Sequence, residues 1–373
     1  MKSILYVGMD VHKSNYTLCC YDFEKDETFA IVQIEPKVAG IIKYLDQIKR
    51  NRGDCEFLCG YEAGSLGYSL HRQLSDCGIN CVILAPTTMS DLDNRRIKTD
   101  RRDAMNIAKN LAYHSYRAVY IPTEEDNAVK EYIRMRDDAK DNLKKLKQRI
   151  LSFCLRNGKD FSETKSYWTL KHIAWLKKQD FGNSTLQEAF GEYLTLYFQA
   201  SDKVDLFDKR IEELAKGERY EENVKKLTCL IGLKAHSALA TIVETGDFAR
   251  FRTAQQYAAY LGLVPGENSS GESKRRTGIT KAGNAHVRKL LVEAAQCYGR
   301  GAVGYKSKTL LLRQKGNDPK VIAYADKANE RLKRKFYRLT YNNTKRNVAI
   351  TAVARELACF IWGMMTGNTA LAT

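Results

Sequence analysis

Ser3–Ile34 reads SILYVGMDVHKSNYTLCCYDFEKDETFAIVQI. It contains three β-rich runs, SILYVGMD, NYTLCCYD and ETFAIVQI, joined by short polar turns, and this pattern predicts an antiparallel meander. Downstream, Pro36–Arg50 carries Val38, Ile41, Ile42, Leu45 and Ile48 at the period of a helix. CEFLCGY is a fourth strand, Leu66–Leu74 a second helix and INCVILA a fifth strand.

The order β-β-β-α-β-α-β is that of the ribonuclease-H-like fold. The fold serves both nucleases and the actin/hexokinase ATPases, so the order alone does not give a function. A sugar-kinase-like ATPase is disfavoured, because VHKSNY and not a Gly-rich phosphate loop follows the first strand. His12 and Lys13, in that turn, suit structural or phosphate-contacting roles better than catalysis.

Four acids stand out on this frame. Asp10 closes the first strand, Glu62 follows the fourth, and Asp100 and Asp103 lie three apart in IKTDRRDAMNIAKNLA, which has helical periodicity at Ile107, Ala108 and Leu111. Strands one and four would be neighbours, so Asp10 and Glu62 would project at one end of the sheet. Each acid alone could be a cap, a surface group or a partner of the nearby arginines. Together they suit a Mg²⁺ site, since hard cations prefer oxygen ligands and two ions about 4 Å apart can clamp a phosphodiester.

Between Glu124 and Lys159 there is no Pro and no Gly before Gly158, and Ala139, Leu143, Leu146, Ile150 and Phe153 follow a heptad spacing. A long helix is expected, forming a coiled-coil region whose seam is read first as a self-association face, with packing within the chain as the alternative. Its charged flanks, including Lys140, Lys144, Lys145, Lys147 and Arg149, would lie in water or along phosphates. From Leu227 the chain reads as short helices: LTCLIGLKAHSALATIVETGDFARF is a helical hairpin of a kind that can hold a phosphate backbone. NVAITAVARELACFIWGMM reads as a core-packing terminal helix. Domain boundaries are expected near 1–122, 123–222 and 223–373.

The charge points to a polyanion: 61 Lys+Arg stand against 44 Asp+Glu, a net +17, and Lys274–Arg346 holds 20 basic and 4 acidic residues. Nucleic acid is the natural partner of such a density. The ten cysteines fall mostly in apolar segments and read as buried thiols, with the Cys55/Cys59 and Cys77/Cys81 pairs poorly placed for zinc. No apolar run of about 18 residues and no signal peptide is read, so the expectation is a cytoplasmic protein without a membrane role.

Asn268-Ser269-Ser270-Gly271 precedes Lys274-Arg275-Arg276, then Gly278-Ile279-Thr280-Lys281-Ala282-Gly283-Asn284, with Arg288 one turn into the next helix. A hydroxyl ringed by cations is suited to attack phosphate, although Ser-Ser-Gly is also ordinary loop chemistry. Lys274, Arg275, Arg276, Lys281 and Arg288 are the expected nucleic-acid contacts, and Asn284 the expected cap of the helix presenting Arg288.

The motifs YVGMDVHK, GYEAG, KTDRRDA, LGLVPGENSSG and GITKAGNAHVRKLL occur in this order along nearly the whole chain. In these the sequence resembles the DEDD-type transposases of the insertion sequence 110 group, which includes the Piv-like DNA invertases. The resemblance implies an N-terminal domain like that of the Holliday-junction resolvase RuvC, with Asp10, Glu62, Asp100 and Asp103 as a tetrad for Mg²⁺, or Mn²⁺ in its place. It further implies a mainly helical C-terminal transposase domain whose serine, Ser270 rather than its neighbour Ser269, forms a phosphoserine link to DNA. Donor and target DNA, a non-coding bridge RNA and a homo-oligomer, dimer or tetramer, with the two domains meeting across subunits, are implied as partners. The segments 160–220 and 300–346 look longer than the compact family pattern, leaving room for further nucleic-acid contacts. A water-using structure-specific nuclease and a non-catalytic nucleic-acid-binding protein are the alternatives.

Overall fold

The alternation read in Ser3–Ile34 folds as a meander of β1 (Ser3–Val11), β2 (Tyr16–Asp22) and β3 (Glu27–Ile34). The computed structural model describes residues 3–90, 99–267 and 276–368. α1 (Val38–Arg52), β4 (Cys55–Glu62), α2 (Ser69–Asp76), β5 (Cys81–Leu84) and α3 (Asp100–Ala112) complete the first unit, residues 1–121. The sheet order is β3-β2-β1-β4-β5, antiparallel through the meander and parallel from β1 to β4 to β5. This mixed sheet agrees with the ribonuclease-H-like expectation.

Strand alternation sorts the two faces. Leu5, Val7 and Met9 of β1 pack with Ile41, Leu45 and Ile48 of α1 and Leu70 and Leu74 of α2. Tyr6 and Leu58 face the other way, onto Ile107 and Leu111 of α3. Gly8 lies on that second face, and a Cβ there would run into the carbonyl oxygen of Ala104 and the amide nitrogen of Ala108. Only glycine lets the α3 backbone come this close, so Gly8→Ala is expected to cost on the order of 3 kcal/mol, because backbone cannot rotate aside as a side chain can. Urea unfolding would measure it, and wild-type stability would mean that α3 is not seated on β1 in this way.

The second unit, residues 122–373, is helical. It comprises α4 (Glu124–Arg156), α5 (Leu170–Lys177), α6 (Ser184–Ala215), α7 (Glu221–Thr228), α8 (Ala235–Thr245) and α9 (Ala254–Tyr260). The short strands β6 (Pro265–Glu267) and β7 (Arg276–Ile279) follow, then α10 (Ala285–Ala295), α11 (Lys308–Gln314), α12 (Pro319–Tyr341) and α13 (Arg346–Thr366). α4 runs long for the reasons read in its sequence, with Thr123 Oγ1 accepting from the Asp126 amide at 3.1 Å as its cap.

The heptad seam of α4 is filled from within the chain. Leu143, Ile150 and Phe153 bury against Phe190, Tyr197 and Val204 of α6 and Leu176 of α5. The region 123–222 also does not stand apart from 223–373, because Val129 and Ile133 of α4 and Ile211 of α6 share one core with Leu239, Leu291, Leu332 and Val353. α13 is long and apolar enough to cross a membrane by length and composition. Its Ala349, Val353, Leu357 and Ile361 are buried in that core, as expected of a core-packing terminal helix.

Candidate active site

β1 and β4 run in register with Gly8 beside Gly60 and Met9 beside Tyr61. Asp10 and Glu62 each follow by one residue, so they stand on adjacent strands at the carboxyl end of the sheet, on the face that carries α3. α3 opens with Thr99 as its cap, Oγ1 accepting from the Arg102 amide at 3.4 Å, and Asp100 and Asp103 occupy its first turn. A helix N-terminus favours carboxylates, which explains the two acids but not why a third faces them.

The structure brings Asp10 and Asp100 together with His12: one ligand atom from each lies within 4.8 Å of the other two. His12 Nε2 is 3.2 Å from Asp10 Oδ2. Burial raises the Asp10 carboxyl above its ordinary range; His12 pulls it down, while the charges of Asp103 and Asp100 push it further up. Asp10 and Asp100 supply oxygen donors and His12 a nitrogen, a set that fits a divalent cation, which would relieve the repulsion that Asp103 and Asp100 exert on Asp10. Glu62 is half-buried on the neighbouring strand and, with Asp103, is not among the three residues that close to that distance. The sequence suits His12 to a structural or phosphate-contacting role, and the signal for its place beside Asp10 is its spacing of two at the strand end.

Ser269, Ser270, Lys274 and Arg275 lie outside the described residues, and Arg276 enters as the first residue of β7. The stems on either side are firmly tied. Pro265 pairs with Ile279 and Glu267 with Arg276, and the Thr280 amide donates to the Val264 carbonyl at 2.9 Å. The Lys281 and Asn284 amides donate to the Gly262 and Tyr260 carbonyls at 3.1 Å each. Gly283 has φ 85°, and a Cβ there would strike the Tyr260 carbonyl. Asn284 Oδ1 accepts from the Val287 amide at 3.0 Å and caps α10, as read from sequence. Arg288 spends one donor on the Leu261 carbonyl at 2.9 Å, bracing the base of the hairpin. Lys281 is exposed.

α10 is pinned by a buried charge network that sequence reasoning missed. His286 Nε2 is 2.8 Å from Asp137 of α4 and its Nδ1 is 3.3 Å from Glu244 of α8. Glu244, 3% exposed, also accepts from Arg134 Nε and Nη2 at 2.7 and 3.0 Å and from Asn284 Nδ2 at 3.0 Å. His236 Nε2 is 3.0 Å from Asp137, and Arg136 bridges Asp137 at 2.9 Å to Asp208 at 2.6 Å. Bonds to Asp137 and then Glu244 raise His286 to about 9. Burial alone would raise Glu244, but the bonds from His286, Arg134 and Asn284 outweigh it and hold the group at about 2. Asp137 lies well below its ordinary range for the same reason, burial opposed by His236 and His286.

These shifts set a pH window. The His286 contribution is complete below its ordinary value of 6.5 and is lost as pH rises through about 9. The Glu244 contribution is complete above 4.5 and is lost as pH falls through about 2. Thermal melts of the protein are therefore expected to plateau between those ordinary values and decline on both sides, the alkaline limb amounting to on the order of 3 kcal/mol. His286→Ala should lower the plateau and flatten the alkaline limb; an unchanged limb in that variant would assign it to another group.

Comparison with known proteins places these features in a wider set. Residues 224–302 match the family described as "Transposase IS116/IS110/IS902 family", and residues 7–156 match the DEDD-type family of IS110 elements, described as "Transposase". The chain is 33% identical to "Putative transposase y4qE" of Sinorhizobium fredii, over 96% of this chain and 88% of that protein. It is 32% identical to "Transposase for insertion sequence element IS1533" of Leptospira borgpetersenii, over 91% of this chain and 97% of that protein. "Transposase for insertion sequence element IS1111A" of Coxiella burnetii is 23% identical over 88% of each chain.

Proposed function

Because the chain belongs to the IS110 family of DEDD transposases, we propose that it cleaves and exchanges DNA strands with Asp10, Glu62, Asp100 and Asp103 as its cation-binding tetrad and Ser270 as its nucleophile. The observation that carries the reading is the meeting of Asp10 and Asp100 within ligand distance, with Asp103 repelling Asp10 from the same helix turn. A divalent cation held there, Mg²⁺ by preference with Mn²⁺ as a substitute, supplies Lewis-acid polarisation of a phosphodiester oxygen.

The protein's own groups do the rest. The Ser270 hydroxyl attacks a phosphorus; a new P–O bond forms to Oγ, the bond to the 3′-oxygen breaks, and the 3′-hydroxyl leaves with the serine proton. The resulting 5′-phosphoserine is resolved by a 3′-hydroxyl of another strand, which returns the proton to Oγ. Lys274, Arg275, Arg276 and Lys281 neutralise phosphate around the hairpin, and Arg288 holds the hairpin base while its remaining donors face the same task. A bridge RNA selects donor and target DNA, and the protein works as a homo-oligomer, dimer or tetramer, in the cytoplasm.

The test is a denaturing gel of purified protein, co-expressed with the flanking sequence of its own element and incubated with labelled DNA and Mg²⁺. A slow-migrating protein–DNA adduct is expected with Mg²⁺ and not with a chelator. Free cleaved DNA without adduct would make water the nucleophile.

A further inference from the structure

Several clefts of the second unit carry cations, and they differ in how many carboxylates share the wall. In the cleft of about 880 Å³ along α12 three of the five lining cations are paired with carboxylates of the same wall, Arg331 and Lys335 each 2.6 Å from Glu356 and Arg334 3.1 Å from Glu330. The cleft of about 830 Å³ between α4, α6, α8 and α10 sets Asp137, Asp141, Asp208, Glu212 and Glu293 among its lysines. Another, about 340 Å³ between α4 and α6, is lined by Lys145, Gln148, Arg149, Ser152, Arg156 and Tyr193, with no carboxylate among the described residues of its wall.

The sequence of that stretch is equally one-sided. Lys144–Lys159 holds six Lys/Arg and no Asp or Glu. Lys145, Gln148, Arg149, Ser152 and Arg156 recur every three or four residues, so they form one stripe of α4, and all five are exposed. The stripe is about 16 Å long at the rise of an α-helix. A duplex presents on the order of ten phosphates over that length, counting both strands. Arg156 Nη1 donates to Ser152 Oγ at 2.7 Å, a neutral partner that leaves its charge uncompensated. Ile150 and Phe153, on the adjoining face, are locked against α6, so the stripe is presented from a rigid hairpin.

We propose that this stripe, through Lys145, Arg149 and Arg156, binds the phosphate backbone of a nucleic-acid duplex, an inference that rests on the transposase reading. Three cations, an amide and two hydroxyls suit backbone contact, which fixes register and carries no sequence information.

Fluorescence anisotropy with the full-length protein tests it, using a labelled DNA duplex and an RNA duplex of equal length over a series of KCl concentrations. The variant Lys145→Gln/Arg149→Gln/Arg156→Gln should bind at least about ten-fold more weakly, and its log Kd against log salt should lose a slope of roughly 2 to 3. A variant of equal charge loss on the exposed side of α6, Lys203→Gln/Lys209→Gln/Arg210→Gln, should change Kd by less than about two-fold. Loss confined to one duplex identifies which nucleic acid occupies the stripe. An unchanged slope in the first variant, or equal loss in both, overturns the proposal while the transposase reading stands. Failure of the wild-type protein to bind either duplex at low salt overturns both. All substituted groups are exposed, and Arg149→Gln alone, with an expected slope loss of about 1, repeats the test with least disturbance of the fold.

Discussion

Ser270→Ala protein is expected to give no protein–DNA adduct on the denaturing gel, a loss of at least about a thousand-fold against wild type. Alanine removes the one oxygen that would bond to phosphorus and leaves the surrounding cations in place, so DNA binding should persist. Asparagine, glycine and lysine neighbours offer no oxygen nucleophile of comparable strength; Ser269 does, which makes Ser269→Ala the necessary companion. An adduct that survives in Ser270→Ala and disappears in Ser269→Ala would move the nucleophile by one residue. Free cleaved DNA from both variants and from wild type would assign the reaction to water and leave the serine loop a structural element.

Asp10→Asn is the second large effect. Asparagine has the same shape but lacks the charge a hard cation requires, and the donors left include only one carboxylate, Asp100, beside the neutral-nitrogen donor His12 among the three residues that meet there. Strand exchange should fall by roughly a thousand-fold or more, the scale of losing several kcal/mol of charge stabilisation. Nucleic-acid binding should hold within about two-fold. In a chelator the variant should melt about 2 °C above wild type, because a carboxylate repelled by Asp103 and Asp100 has been neutralised. Loss of activity with retained stability is the pattern of a working site. Full recombination by this variant would remove Asp10 from the chemistry.

The sheet could be read from sequence because each of its strands is short, alternating and bounded by turn residues, and because strand order places β1 beside β4. That adjacency also sets Asp10 next to Glu62. The docking of α3 was less visible. It depends on Gly8, whose lack of a side chain matters only once Ala104 and Ala108 are known to lie above it. The seam of α4 left two partners open, since a heptad spacing is the same whether the complementary ridge comes from another chain or from α6.

The network at His286 was not legible at all. Asp137 sits on a helix among other charges and looks like part of a solvated flank, while His236, Glu244 and His286 are far from it in sequence. Only folding brings them together, and no local period marks a residue whose partners are a hundred positions away. The cap at Asn284, by contrast, is a local signal of a short polar residue before an apolar-periodic run, and it was found.

The shared core of the second unit bears on the order of events during translation. Val129 and Ile133 near its start and Phe360, Ile361 and Met364 of α13 belong to the same buried cluster. The first unit can close as soon as its own residues have left the ribosome. The second cannot, because the buried cluster that its earliest core residues join is incomplete until α13 emerges, roughly 10–50 s later at ordinary elongation rates. For that interval the apolar side of α4 has only α6 and the intermediate helices to cover it. A ribosome stalled before α13 would display a finished sheet unit followed by an open helical half whose shared core is still exposed.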